Sequence, residues 1–446
     1  HNRSLLVNRP AIGRAFFDLM KASDSKNGGK THTVGMQPSE DKVPTEKIMN
    51  KTALAMATAA ILTSSFALAG GHAKSVKLGV VLGFTGPAES LAESMARGAE
   101  LAMKEVSASK LLLDSATVSH VRADSTCVDA SAAAAAAERV IASDKVDAII
   151  GALCSGATIS ILQNVAMPKG VLLFSPSATS PALSTLEDND LFFRASPSDA
   201  RQGQVISEVL QEKGIQSIAM TYTNNDYGKG LADSIQSNFE AAGGKVTINT
   251  PHEDGKGDYS AEVAALTQAG GDILMVVGYL DQGGKGIIQS SLDAGAFDQF
   301  FLPDAMIGES LVKAIGPDLN GSIGTVPGTD SNGAQIYADL AKKDGFDAGP
   351  YSPEAYDAAA LTLLAMQAAN STDSNAVKAK IFDVANAPGT PILPGELAKG
   401  LQILKDGGEI DYVGATAVEL IGAGESAGSY REILVKDGKN TTVGYR

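Results

Sequence analysis

The sequence predicts an α/β protein made of two Rossmann-like, doubly wound lobes. Two observations carry this. Short runs that are apolar at nearly every residue, such as Lys77–Phe84 (KLGVVLGF), alternate with helical patterns along most of the chain. Such runs set between helices indicate parallel strands covered on both faces. The alternation also occurs in two successive series of similar size within 446 residues, more chain than one ordinary domain needs.

In the first series, Ser90–Val106 has helical spacing and Thr117–Ala123 alternates as a strand. Asp129–Ala142 is Ala-rich, and its Ala132–Ala137 run is read as helix propensity alone. Asp147–Leu153 (DAIIGAL) and Gly170–Ser175 (GVLLFS) are buried strands. The second series starts after Phe192-Phe193-Arg194. It comprises helix Asp199–Glu212, strand Ser217–Thr223, helix Tyr227–Ala241 and strand Lys245–Asn249, then helix Tyr259–Ala269, strand Asp272–Tyr279 and strand Phe300–Pro303. Residues 330–387 read as mostly helical, including Pro353–Ala369, and Asp411–Val435 reads again as strands.

The N-terminal residues have a different character. Met49-Asn50-Lys51 opens a short basic region, Ala53–Leu62 is apolar, and Ala67-Leu68-Ala69 is a small-x-small cleavage site. Residues 49–69 are therefore read as a secretory signal peptide, with the mature chain starting at Gly70. Residues 1–48 are expected to be a non-native or disordered leader. The apolar run is shorter than the roughly 20 residues of a membrane span, so no membrane insertion is expected after cleavage. The net charge of −15 disfavours a phosphate backbone as partner, so nucleic acid is not expected. Only two cysteines occur, Cys127 and Cys154. In an oxidising compartment such a pair suggests a disulfide, with two buried thiols as the alternative.

Catalytic constellations are scarce. His72, His120 and His252 show no metal-ligand spacing, and the chain has no G-x-S-x-G, no P-loop and no dinucleotide fingerprint after a strand. Ser155 beside Cys154 has no identifiable base. No catalytic residue, metal or cofactor is expected, and the chain is read as not an enzyme.

Ligands of open α/β sheets sit at the carboxyl ends of strands. Here those ends carry Phe84–Pro87, Cys154–Gly156, Ser175–Ser180, Asn224–Gly228, Tyr279 and Asp304. A zwitterion's carboxylate suits Ser155 and Thr179 at expected helix starts. Its ammonium suits Asp304, and Tyr227 and Tyr279 can cover an apolar part or face a cation. Taken singly, each is also a plausible helix cap, turn residue or packing tyrosine.

Eight segments carry a specific resemblance. They are GFTGP (Gly83–Pro87), RGAELAMKEV (Arg97–Val106), DSTCVDA (Asp124–Ala130), GALCSGAT (Gly151–Thr158), SPSATSPALS (Ser175–Ser184), FFRASPSDARQG (Phe192–Gly203), NNDYGKGLA (Asn224–Ala232) and GYLDQGG (Gly278–Gly284). In this order they resemble the type I periplasmic binding proteins of branched-chain amino acid ABC transporters.

The resemblance implies two lobes closing on an amino acid, with hinge crossings near 195–198, 324–328 and 395–405. Lobe 1 would be 76–195 plus 328–398, and lobe 2 would be 196–327 plus 399–446. Ser155, Ser177, Ala178 and Thr179 would bind the α-carboxylate and part of the ammonium. Tyr227 and Tyr279 would come from the second lobe, Asp304 would pair with the ammonium, and Leu91 and Phe84 complete the candidate contacts. Cys127 and Cys154 would be bridged. A periplasmic monomer that delivers to a membrane permease is implied. Relatives for leucine-like ligands often carry Glu at the place of Asp304 and an aromatic at that of Leu91. The rival reading is a secreted sensor of amino acids, amides or urea-like compounds.

Overall fold

A computed structural model describes residues 75–446. The expected leader 1–48, signal peptide 49–69 and mature start at Gly70 lie outside the described residues.

The first series folds into strands β1 (Ser75–Leu82), β2 (Thr117–Asp124), β3 (Ala148–Gly151), β4 (Leu172–Ser175) and β5 (Phe192–Arg194). Between them run helices α1 (Glu89–Ser109), α2 (Ala130–Ala142), α3 (Ser155–Ile161) and α4 (Met167–Lys169). A π turn, Leu162–Ala166, carries α3 into α4. The five strands are parallel, in the order β5-β4-β3-β1-β2. β3 and β4 are buried at every residue, as strands covered on both faces must be.

The second series repeats this winding. Helices α5 (Asp199–Glu212), α6 (Asp226–Ala241), α7 (Ser260–Ala269), α8 (Gly283–Ala294) and α9 (Glu309–Ile315) alternate with β6 (Ser217–Thr223), β7 (Lys245–His252), β8 (Ile273–Val277), β9 (Phe300–Leu302) and β10 (Ile323–Pro327). The strands are parallel in the order β10-β9-β8-β6-β7. The expected fold class, two doubly wound α/β lobes, is the observed one.

The chain then returns to the first lobe. Helices α10 (Asn332–Lys343), α11 (Ser352–Ala369) and α12 (Ser374–Ala385) are followed by β11 (Thr390–Ile392), α13 (Leu397–Lys405), β12 (Ile410–Tyr412), β13 (Leu420–Ile421) and β14 (Glu425–Ser426). α11 packs along α1 and α13, which is why this Ala-rich helix is buried around nearly its whole circumference. β14 pairs with β5, Glu425 opposite Arg194. Only then do β15 (Tyr430–Lys436), antiparallel to β10, and β16 (Lys439–Tyr445), antiparallel to β15, extend the second sheet.

The sheets are thus joined by three passages, between β5 and α5, between β10 and α10, and between β14 and β15. The last corrects the expectation of a crossing near 395–405 and a lobe change at 399. Leu397 and Leu401 are fully buried on the first lobe's side and Glu425 completes its sheet, so residues through Ser426 belong there.

Candidate ligand-binding site

The carboxyl ends of both parallel sheets face one another across a narrow cavity. Its walls are Leu91, Leu153, Cys154, Ser155, Ser177, Tyr227, Tyr279, Asp304, Ala305 and Tyr351.

The first lobe's wall is built at the end of β3. Gly151 sits at φ +150°, and a Cβ there would stand 2.0 Å from the Val81 carbonyl oxygen, so only glycine lets the chain turn here. The turn delivers Cys154, bridged to Cys127, and Ser155, the first residue of α3. The bridge ties the loops after β2 and β3 together beside the cavity. Ser155 Oγ accepts the Ser180 N–H at 3.1 Å, leaving its own proton to give to an anion.

The loop after β4 is held from below. Ser175 Oγ donates to the Ala152 carbonyl at 2.7 Å and accepts the Ala178 N–H at 2.9 Å. Ser177 Oγ donates to the Leu153 carbonyl at 2.8 Å, so towards the cavity Ser177 offers lone pairs. Arg194, on β5 and 1% exposed, donates from Nη1 to the carbonyls of Ala178 (2.9 Å) and Ser180 (3.0 Å). Its Nη2 binds Ser184 Oγ and Glu425. One buried guanidinium thereby fixes the loop to two strands.

The second lobe contributes the negative end. Asp304 follows β9 at the start of a short 3-10 turn and is 1% exposed. Tyr227 Oη donates to its Oδ1 at 2.8 Å. Tyr351 Oη, from the first lobe, donates to Oδ2. Burial pushes the Asp304 carboxyl up, and these two phenols pull it back. Both phenols stay neutral donors, since burial and the Asp304 charge hold them well above the ordinary tyrosine value. Tyr227 stacks on Tyr279 with ring centroids 5.3 Å apart.

Beside this group lies Asp199, the first residue of α5 and fully buried. Its N–H donates to the Thr179 carbonyl at 2.9 Å across the first passage between lobes. Neither carboxylate oxygen has a hydrogen-bond partner, and neither has the Thr179 hydroxyl. Burial first, then the Asp304 charge, pushes the Asp199 carboxyl well up. The nearby Thr179 hydroxyl, outside hydrogen-bond geometry, and the Arg194 guanidinium ease it. The two ends of the cavity therefore differ: a hydroxyl donor at Ser155, and the Asp304 carboxylate at the other end, with Asp199 buried behind it.

Residues 75–395 match the family model described as "Periplasmic binding protein". The chain belongs to that family. A Leu/Ile/Val-binding protein of Citrobacter freundii is 30% identical over 57% of this chain and 68% of its own. Among solved structures, a leucine binding protein from Thermotoga maritima superposes with a TM-score of 0.71 at 21% identity, covering 83% of this chain and 98% of that one. An ABC-transporter solute binding protein from R. palustris, in complex with benzoate, gives 0.68 at 17% identity, covering 83% and 96%. At such identities the two structures speak for the fold alone.

Within this binding-protein fold, Leu91, Ser155, Ser177, Tyr227, Tyr279 and Asp304 meet at the cavity. Ala178 and Thr179 are buried just behind its wall, and the amide and carbonyl of Ala178 are committed to Ser175 and Arg194. Ala178 thus braces the loop behind the wall rather than lining the cavity itself. Phe84 is not brought to the cavity. Its ring lies under the Arg122 guanidinium, 5.5 Å from the centroid. Thr179 also precedes no α-helix start, because the next element of the chain is a 3-10 turn, Pro181–Ser184.

Sequence reasoning missed Leu153, Ala305, Tyr351 and Asp199. The breaker cluster Gly349-Pro350 ahead of a long apolar helix marks the turn that carries Tyr351, but not the lobe it reaches. His252, read as part of a polar connection, instead ends β7, buried, with Nδ1 2.9 Å from Thr221 Oγ1. Among the described residues, no group of His, Cys, Asp or Glu is arranged to hold a metal. None of the described helices is long and apolar enough to cross a membrane.

Proposed function

We propose that this protein is the extracytoplasmic solute-binding subunit of an ABC importer, capturing a branched-chain or related amino acid between its lobes. The observation that carries this reading is Asp304: a buried carboxylate in the interlobe cavity, held by one tyrosine from each lobe. A zwitterion fits the polarity of the walls. Its ammonium meets Asp304 and the lone pairs of Ser177, with the unpartnered hydroxyl of Thr179 close behind. Its carboxylate accepts a hydrogen bond from the Ser155 hydroxyl at the start of α3, where the helix end favours an anion. Leu91, Leu153, Ala305 and the Tyr279 ring are left for a short apolar side chain.

The partners in this reading are the amino acid and a membrane permease. The work is capture and delivery, by a monomer in the periplasm, without turnover. A second reading draws on the upward push on Asp304: a protonated carboxyl would suit an amide or urea-like ligand of a secreted sensor.

Native mass spectrometry of protein purified without a stripping step separates the two. The proposal expects a bound mass equal to a branched-chain amino acid or a close analogue, released unchanged on unfolding. A neutral amide or urea in its place supports the sensor, and a converted product refutes a binding role.

A further inference from the structure

Helix α1 starts without a cap of its own. Its N-cap residue is Ala88, which has no side-chain oxygen. The Glu89 and Leu91 N–H groups reach the Gly86 and Ala88 carbonyls, but among the described residues the Ser90 N–H finds no acceptor in its own lobe. The second lobe supplies one. Asp281, in the loop between β8 and α8, accepts the Ser90 N–H on Oδ2 at 2.9 Å. Its own N–H donates to the Pro87 carbonyl at 3.0 Å. Its Oδ1 accepts the Ser310 hydroxyl at 2.5 Å, and Ser310 Oγ lies 3.1 Å from Ser90 Oγ. Leu91, the next residue of α1, is a cavity wall and lies against Gly308 of the second lobe.

We propose that Asp281 is the latch of the closed form: it caps α1 in trans, and so sets how long the lobes stay shut without touching the ligand. The bonds to Ser90 and Pro87 span the lobes, so they exist only on closure. A carboxylate at a helix N-terminus does the work of an N-cap side chain and is favoured by the helix dipole. When the lobes part, water takes its place at the Ser90 amide. The latch thus acts on opening rather than on encounter. The inference rests on the capture reading only for its ligand arm.

The test uses the full chain with Ser90→Cys and Ser310→Cys, which cross-link only when the rims meet. Without ligand, Asp281→Ala should slow oxidant-driven cross-linking about fivefold to tenfold, the size expected for losing one cap. Asp281→Asn, which keeps an acceptor and the size, should fall between. Melting midpoints of the variants before oxidation should match the parent's, because the latch belongs to closure and not to either lobe's fold. In the parent without cysteines, Asp281→Ala should speed leucine dissociation by a similar factor and leave association unchanged. Cross-linking of both variants within twofold of the parent overturns the latch. A parent that does not bind leucine, with cross-linking slowed as expected, leaves the latch standing and counts against the leucine-like ligand alone.

Discussion

Glu354, on α11, is buried with one carboxylate oxygen unpaired. Burial pushes its carboxyl up to about 8, and the charge of Asp357 adds to that. Burial lifts the Asp357 carboxyl too, but only to about 6, because bonds from Ala415, Thr416 and Tyr412 oppose the rise. A folded-state value above the unfolded one means that the native state binds the proton more tightly. The stability this confers is full below the ordinary value of 4.5 and is lost as pH rises through about 8. His252 has the opposite sign. Burial holds its imidazole down to about 4, so its contribution is present above 6.5 and is lost as pH falls through 4. Thermal melts of Glu354→Gln and parent across pH 5 to 9 isolate the carboxyl. The variant should gain on the parent progressively towards pH 8, by up to a few kcal/mol, and differ little near pH 5. A gap that is the same at both ends would contradict a buried titrating carboxyl.

The loops after β2, β3 and β4 act as one element, stapled by Cys127–Cys154 and by Arg194. The bridge closes a loop of 27 residues, which chain-entropy reasoning values at about 3–4 kcal/mol. Replacing both cysteines by Ser should lower stability by roughly that amount in urea unfolding. It should also weaken ligand binding, because Cys154 lies next to Ser155. Unchanged stability would mean that the loops are fixed by packing alone. At this scale the core of the fold was legible. The strands DAIIGAL and GVLLFS and the loops after them carry apolar runs and turn residues that local chemistry explains. The tail was legible as strands, but helix α13 and the return of β12, β13 and β14 to the first lobe were not. β13 and β14 are two residues each, too short for any periodicity, and their place is set by a single pairing with β5. Tyr351 and Asp199 escaped for a related reason. Tyr351 acts across the cleft, and Asp199 reads in sequence as an ordinary acidic first-turn residue, its burial coming only from the passage between lobes.

On the scale of the whole molecule, two lobes of the same winding bring opposite polarities to one cavity. Closing them removes Asp304 from water, which is costly for an unpaired carboxylate and favourable once an ammonium sits against it. In the proposed reading, ligand charge and lobe closure are one equilibrium: the cation stabilises the closed form, and the closed form screens the ion pair from water. Asp304→Asn keeps the shape and removes the charge, so it should spare the fold and weaken capture. Calorimetric titration of leucine, isoleucine and valine into parent and Asp304→Asn protein tests this most directly. The parent should bind at least one of the three. The variant should lose about 2–5 kcal/mol of that affinity, roughly thirtyfold to a few thousandfold in Kd. Binding by the variant at the parent's affinity would contradict the account.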